Sequence, residues 1–256
     1  MSSYNIKEIL GSKMFLIKGD GGVSKQLIKH EIREVGATKE TIKILKPGMI
    51  CIDIGSNLGY YALLEAKLVG KDGFVYAIEP IEENVIALIN SVALNGYKNI
   101  KVYKCAIGSS NSIQKMIVSH KSNLGTLVIR SKNIKHAKAI IKVKTITLNN
   151  FCKRLNIRKI NFLRMDVEGY EVEIIKGMNK TIKLMPKGSI LSIEIHPKAY
   201  GYPFKPIIEM LQTIKDYGFK VNKYVLIENI IELKSYKHLI KLFDNKYCPQ
   251  IFFERV

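Results

Sequence analysis

Three carboxylates stand within six residues in Asp166-Val167-Glu168-Gly169-Tyr170-Glu171. The apolar segment 160–166 has the composition of a buried parallel strand, and Gly169 permits a tight turn into a helix. The carboxyl end of such a strand is where α/β sheets place reactive groups. Asp166 is expected to face a crevice there. Glu168 either faces it too or stabilises the helix start, and Glu171 reads as a first-turn carboxylate. A second group follows in Ser192-Ile193-Glu194-Ile195-His196-Pro197. Strand alternation puts Glu194 and His196 on one face. His196 and Asp166 are the candidates for a general base acting on a hydroxyl, with Glu168 behind them. Asp166, Glu194 and His196 could also share a hard divalent cation, although histidine is an unusual magnesium ligand. A metal is therefore allowed but not predicted, and a His196 held only by structural hydrogen bonds is the plain alternative.

The third constellation is the run 49–61, where Ile50-Cys51-Ile52-Asp53-Ile54 leads into Gly55-Ser56-Asn57-Leu58-Gly59. A buried strand that runs straight into a helix N-terminus has this composition. Gly55 and Gly59 remove side chains where the backbone must turn and approach a ligand. The free N–H groups of the turn, with Ser56 and Asn57, suit an acceptor-rich group. Glu79 stands twenty residues after Gly59 at the end of the next apolar segment. An acid at that place hydrogen-bonds ribose hydroxyls. The glycines do not make G-x-G-x-x-G, and an Asp before them would oppose a pyrophosphate. Asp53 suits the ammonium and sulfonium of S-adenosylmethionine better, unless it only ties down the turn.

The elements that must position these groups alternate. Segments 74–79, 100–106, 160–166 and 189–195 read as strands beside 50–54. Segments 57–69, 81–94, 147–155, 169–184 and 206–217 read as helices. Asn95-Gly96 is expected as a left-handed helix cap. Alternation of this kind argues for a parallel sheet with helices on both faces and right-handed crossovers. Segments 219–227 and 250–255 close it as sixth and seventh strands. Residues 108–146 break the rhythm. Within them 113–118, 124–130 and 139–146 are rich in β-branched residues and predict two or three antiparallel strands, a basic insertion beside the crevice. Residues 1–46 read as an N-terminal extension packed on a main domain of 47–256, with a strand at 13–18 and helical spacing over 27–45.

Composition bounds the partners. The 256 residues are enough for one large domain, and 47% hydrophobic content fits a globular core. Four scattered cysteines form no CxxC and no Cys/His cluster, which argues against zinc. Residues 1–10 lack a signal-like apolar centre, and no apolar run reaches membrane-spanning length, so a cytoplasmic location is expected. The net charge is +19, and residues 84–165 contain no Asp or Glu but 16 Lys or Arg. That favours an anionic partner: RNA, a phosphorylated substrate or an acidic membrane surface. Only 6 of the 41 basic residues are Arg, which also fits a merely solvated lysine-rich surface.

These residues resemble one family, the FkbM-type methyltransferases, over roughly 36–197. Met165 to Glu171 followed by Ile175-Lys176-Gly177-Met178 is similar to the family's D-V-E-G-x-E segment. Asp53 to Tyr61 resembles its first motif, and Ala77-Ile78-Glu79-Pro80 with Asn84 its ribose motif. Asn123-Leu124-Gly125-Thr126-Leu127 resembles its middle segment. Thr147-Leu148-Asn149-Asn150 departs from it, standing where the family often has T-L-D-D. The resemblance implies a Rossmann-like class I methyltransferase fold with a seven-stranded, mostly parallel sheet and a small inserted β element. It implies S-adenosylmethionine as cofactor, held by Asp53, the glycine turn, Glu79, Ala106 at the adenine edge, and Asp166. It implies O-methylation of a sugar, glycolipid or related metabolite. An RNA methyltransferase using the basic 84–165 region is the alternative enzyme, and a non-catalytic binding protein with this fold is the alternative class.

Overall fold

The computed structural model describes residues 3–119, 126–127, 138–244 and 246–256. The chain begins with a hairpin, β1 (Tyr4–Ile9) and β2 (Ser12–Ile17), followed by helices α1 (Val23–Lys29) and α2 (Val35–Ile44). Then come β3 (Ile50–Ile54), α3 (Tyr60–Val69), β4 (Phe74–Ile78), α4 (Glu82–Leu94) and β5 (Ile100–Tyr103). Short strands β6 (Ala106–Gly108), β7 (Ser112–Val118), β8 (Thr126–Leu127) and β9 (Ala139–Thr147) precede α5 (Leu148–Arg154). The last part holds β10 (Phe162–Met165), α6 (Glu171–Lys176), β11 (Ile190–Glu194), α7 (Pro197–Tyr200) and α8 (Lys205–Asp216). It ends with β12 (Phe219–Leu226), β13 (Asn229–Glu232), α9 (Tyr236–Lys241) and β14 (Gln250–Arg255).

The main sheet runs β13-β12-β14-β11-β10-β3-β4-β5. From β11 to β5 every pairing is parallel, and β14 lies antiparallel between β11 and β12. β3 sits inside it, which explains its run of Ile and Cys: both faces are covered. The register sets Arg164 of β10 directly beside Asp53 of β3. Helix α8 shows how the faces are covered. Its buried residues Ile207, Met210, Leu211 and Ile214 repeat at one-turn spacing and pack into the larger core cluster.

Four details differ from the sequence reading. The main sheet has eight strands, not seven, because β13 pairs with β12 at the edge; its four exposed residues carry no alternation to read. The third strand ends at Tyr103. Cys105 N turns back onto the Tyr103 carbonyl (3.1 Å), and Ala106–Gly108 joins a second sheet of order β6-β9-β7-β8. The helix expected over 169–184 stops at Gly177, followed by a 3-10 turn, Thr181–Leu184. A Cβ on Gly177 would lie 2.2 Å from the Gly108 carbonyl, so two backbones touch there. The helical stretch over 27–45 is split in two by residues 30–34, where Glu34 takes a left-handed φ of 45°.

The insertion is antiparallel as expected for β7 and β9. Of the strand expected over 124–130, only Thr126–Leu127 is described, and most of the segment 123–127 lies outside the described residues. Among the described residues no helix is long and apolar enough to cross a membrane.

Candidate active site

A cavity of about 680 Å³, mouth included, opens at the carboxyl ends of β3, β4 and β10. Ile78, Ile81, Cys105, Ala106, Ile107 and Met116 form an apolar wall beyond β4. Gly55, Asn57, Glu79, Asp166, Glu168 and Arg33 supply its polar lining. Sheet geometry thus brings together Gly55 and Glu168, more than 110 positions apart in the chain.

Glu79 is buried in this wall. Its Oε2 accepts from Asn57 N (2.9 Å), and its Oε1 accepts from Ile81 N (2.9 Å) and Asn84 Nδ2 (3.3 Å). It therefore ties the glycine turn to the start of α4. Burial pushes its carboxyl up to about 7, against those three donors. Gly55 lines the cavity with φ +82°, and a Cβ there would meet the Asp166 carbonyl at 1.9 Å. Gly59, at φ +94°, makes room for Leu88 of α4 instead. Close approach here is strand to strand and helix to helix, rather than only backbone to ligand. Ser56 does not line the cavity. Its Oγ donates to the Asp53 carbonyl (2.9 Å) and accepts from Ile78 N (3.0 Å), stapling β3 to β4.

Asp53 also stands outside the lining, fully buried. Its Oδ1 accepts from Arg164 Nη1 at 3.2 Å. Burial raises its carboxyl and Arg164 works against that rise. The expected meeting of Asp53 with a cationic ligand is replaced by an internal ion pair. Arg164 also donates from Nη2 to Asp166 Oδ2 (3.2 Å), approaches Glu34 Oε2 (3.8 Å) and stacks on the Tyr61 ring at 3.8 Å. Asp166 is the member of this network that faces the cavity. Burial would raise it, but Arg164 and then His196 hold it below the usual carboxylate range.

Behind Asp166 lies a second network. Glu171, expected as a first-turn carboxylate, is fully buried. Its Oε1 pairs with His196 Nδ1 (2.6 Å) and accepts from Gly169 N (3.0 Å), while Oε2 accepts from Tyr200 OH (2.8 Å). Burial would lower the His196 imidazole, but Glu171 pulls it well above its ordinary value. His196 stands outside the cavity lining. Its Nε2 stands 3.4 Å from Glu168 Oε2. Glu168 does line the cavity, at a left-handed φ of 51° that a non-glycine residue adopts only when its surroundings impose it. Burial pushes its carboxyl up to about 7, with His196 opposing. Glu194 is raised well above the usual range by burial and by Asp166, and its hydrogen bond helps to hold Asp166 low. Asp166, Glu194 and His196 each bring a ligand atom within 4.8 Å of the others, so the spacing for a shared cation exists.

Two arginines escape the sequence reading. Arg164 carries a signal, a charge inside the apolar run Phe162-Leu163-Arg164-Met165. Arg33 carries none, since only the docking of the N-terminal segment brings it to the cavity. The departure at Asn149 is explained. Its Oδ1 accepts from Lys180 N, Thr181 N and Thr181 Oγ1, so it fastens the turn after α6 and stands outside the cavity lining.

The described sequence and geometry can be set beside known proteins. A curated relative, a protein-L-isoaspartate O-methyltransferase of Methanococcoides burtonii, is 42% identical over 55 residues, which is 22% of this chain and 27% of that one. The fold is similar to an rRNA methylase from Streptococcus thermophilus, with a TM-score of 0.50 and 12% identity over 86% of this chain and 94% of that one. It is equally similar to SMU.1697c of Streptococcus mutans in complex with SAH, with a TM-score of 0.50 and 11% identity over 86% and 96%. The model of the methyltransferase FkbM domain matches residues 53–221. That match spans more than half of the chain and includes Asp53, Glu79, Asp166, Glu168, Glu171 and His196. The chain belongs to the FkbM methyltransferase-domain family.

Proposed function

We propose that the protein transfers the methyl group of S-adenosylmethionine to a hydroxyl of a sugar, glycolipid or related metabolite. The observation that carries this reading is Glu168: a carboxyl pushed up to about 7, lining the cavity beside Asp166. A hydroxyl must lose its proton as it attacks carbon, and a base poised near neutrality is suited to take it.

The cavity fits the cofactor. The apolar wall at Ala106 and Ile107 accepts a purine. Glu79 has three protein donors on two oxygens, which leaves acceptor capacity for a ribose hydroxyl. Asn57 and Gly55 border the sulfur-bearing end, and Asp166 offers its ammonium a carboxylate. When bound, S-adenosylmethionine supplies a methyl group made electrophilic by a sulfonium. The chain's own residues align the acceptor oxygen with that methyl and hold the proton acceptor, and alignment supplies much of the rate. Of the sequence candidates, Glu168 suits the base best. Asp166 is held ionised and weakly basic by Arg164. His196 is already protonated, and acts by positioning Glu168 and favouring its ionised form.

Transfer of label from methyl-labelled S-adenosylmethionine into a cell extract tests the assignment. Glu168→Gln is expected to slow it about 100-fold or more, with cofactor binding retained. Unchanged transfer in that variant removes Glu168 as the base. A second reading, a divalent cation on Asp166, Glu194 and His196, rests on their spacing. Arg164 already neutralises Asp166, and His196 is protonated, so transfer is expected to survive EDTA; abolition by EDTA with rescue by Mg²⁺ favours the cation. An RNA acceptor is the third reading, supported by the basic 84–165 region and by the rRNA methylase of similar fold. It requires RNA affinity that falls steeply with salt.

A further inference from the structure

We infer that Arg33 forms the subsite for the α-carboxylate at the methionine end of the cofactor, an inference that rests on the cavity being the S-adenosylmethionine site. Arg33 lines the cavity, and among the described lining residues it is the one cationic side chain. Its side chain is only 14% exposed. Nη2 is held by Glu34 Oε1 at 2.7 Å, while Nε is buried without a hydrogen-bond partner among the described residues. A buried donor left unpaired is a standing cost that a ligand acceptor relieves.

The segment is held in place for this. Arg33 N donates to Tyr60 OH (3.0 Å), and the Arg33 carbonyl accepts from Thr38 Oγ1 (2.8 Å) and Tyr60 OH (3.2 Å). Glu34, the partner of Arg33, also approaches Arg164 of β10. The charge of Arg33 is felt by Asp166 and Glu168. These relations place Arg33 at the β10 end of the cavity. Glu79, at the end of β4, lies two strand spacings from β10 in the sheet order, or roughly 10 Å. A nucleoside with its base on Ala106 and its ribose on Glu79 therefore carries its amino-acid end to β10. Asp166 suits the ammonium there, and the planar guanidinium of Arg33 suits the carboxylate.

Binding of S-adenosylmethionine and of its decarboxylated analogue, measured by titration calorimetry, tests this. The full-length protein is expected to prefer the carboxylated ligand by about tenfold or more, the size of one charge-assisted contact. Arg33→Gln is expected to lose that preference, weakening S-adenosylmethionine while moving the analogue less than about twofold. Arg33→Lys, which keeps the charge, is expected to fall between them, and an unchanged thermal midpoint shows that the fold is kept. Equal weakening of both ligands, or weakening of neither, overturns the inference. Failure of the unmodified protein to bind either ligand overturns the cofactor site itself and the inference with it.

Discussion

In the proposed mechanism, Glu168 and His196 exchange the roles their residue types suggest. A histidine near a crevice is the usual candidate for a base, but Glu171 pulls the His196 imidazole upward, and the proposed proton acceptor is Glu168. The rate of methyl transfer is therefore expected to rise as pH increases through about 7, where Glu168 ionises, and to level off above. Replacing His196 by Gln removes a positive charge that favours ionised Glu168. The midpoint of the pH–rate profile should then move upward, with a loss of about tenfold at neutral pH. A fall in rate with an unmoved midpoint assigns His196 a purely structural role. Glu79 titrates in the same range, but its effect belongs to cofactor binding. Glu79→Ala should raise the dissociation constant for S-adenosylmethionine about tenfold or more, read by calorimetry.

At the scale of elements, Arg164 joins β10 to β3. The register sets it beside Asp53, and the guanidinium bridges Asp53 and Asp166 while stacking on Tyr61 of α3. Arg164→Met leaves the fully buried Asp53 and the half-buried Asp166 without their cation, and is expected to cost about 3–5 kcal/mol in denaturant unfolding. A loss below about 1 kcal/mol would show that the network is not structural. The strands follow from alternating apolar runs, and Glu79 and Asp166 are legible because each closes such a run. Local chemistry is less legible. Glu171 reads as a helix-start carboxylate because its sequence neighbours say so, and becomes the buried centre of a network because Gly169, His196 and Tyr200 converge on it. Asp53 reads as a ligand contact until Arg164 claims it across the sheet. Arg33 is silent, since nothing in residues 1–46 signals where that segment docks.

Over the whole molecule, burial of acids sets the response to pH. Glu65 of α3 is fully buried, both its oxygens lack a partner among the described residues, and burial followed by the charge of Asp53 raises it well above 4.5. It is neutral in the folded state, whereas the unfolded chain ionises it near its ordinary value. Its contribution to stability is full below that value and is lost as pH rises toward the folded one. Urea midpoints are therefore expected to fall as pH rises above the ordinary glutamate range, and Glu65→Gln should flatten that fall; an unaltered slope would assign it to other groups. The surplus of positive charge lies mainly in residues 84–165. Whether it serves a nucleic acid or another acceptor is decided where the methyl group goes. Methyl-labelled S-adenosylmethionine, incubated with the protein and a whole-cell extract, is separated into RNA, lipid, glycan and protein fractions. The predicted result is label in the glycan or lipid fraction, abolished by Glu168→Gln; label recovered in RNA would contradict it.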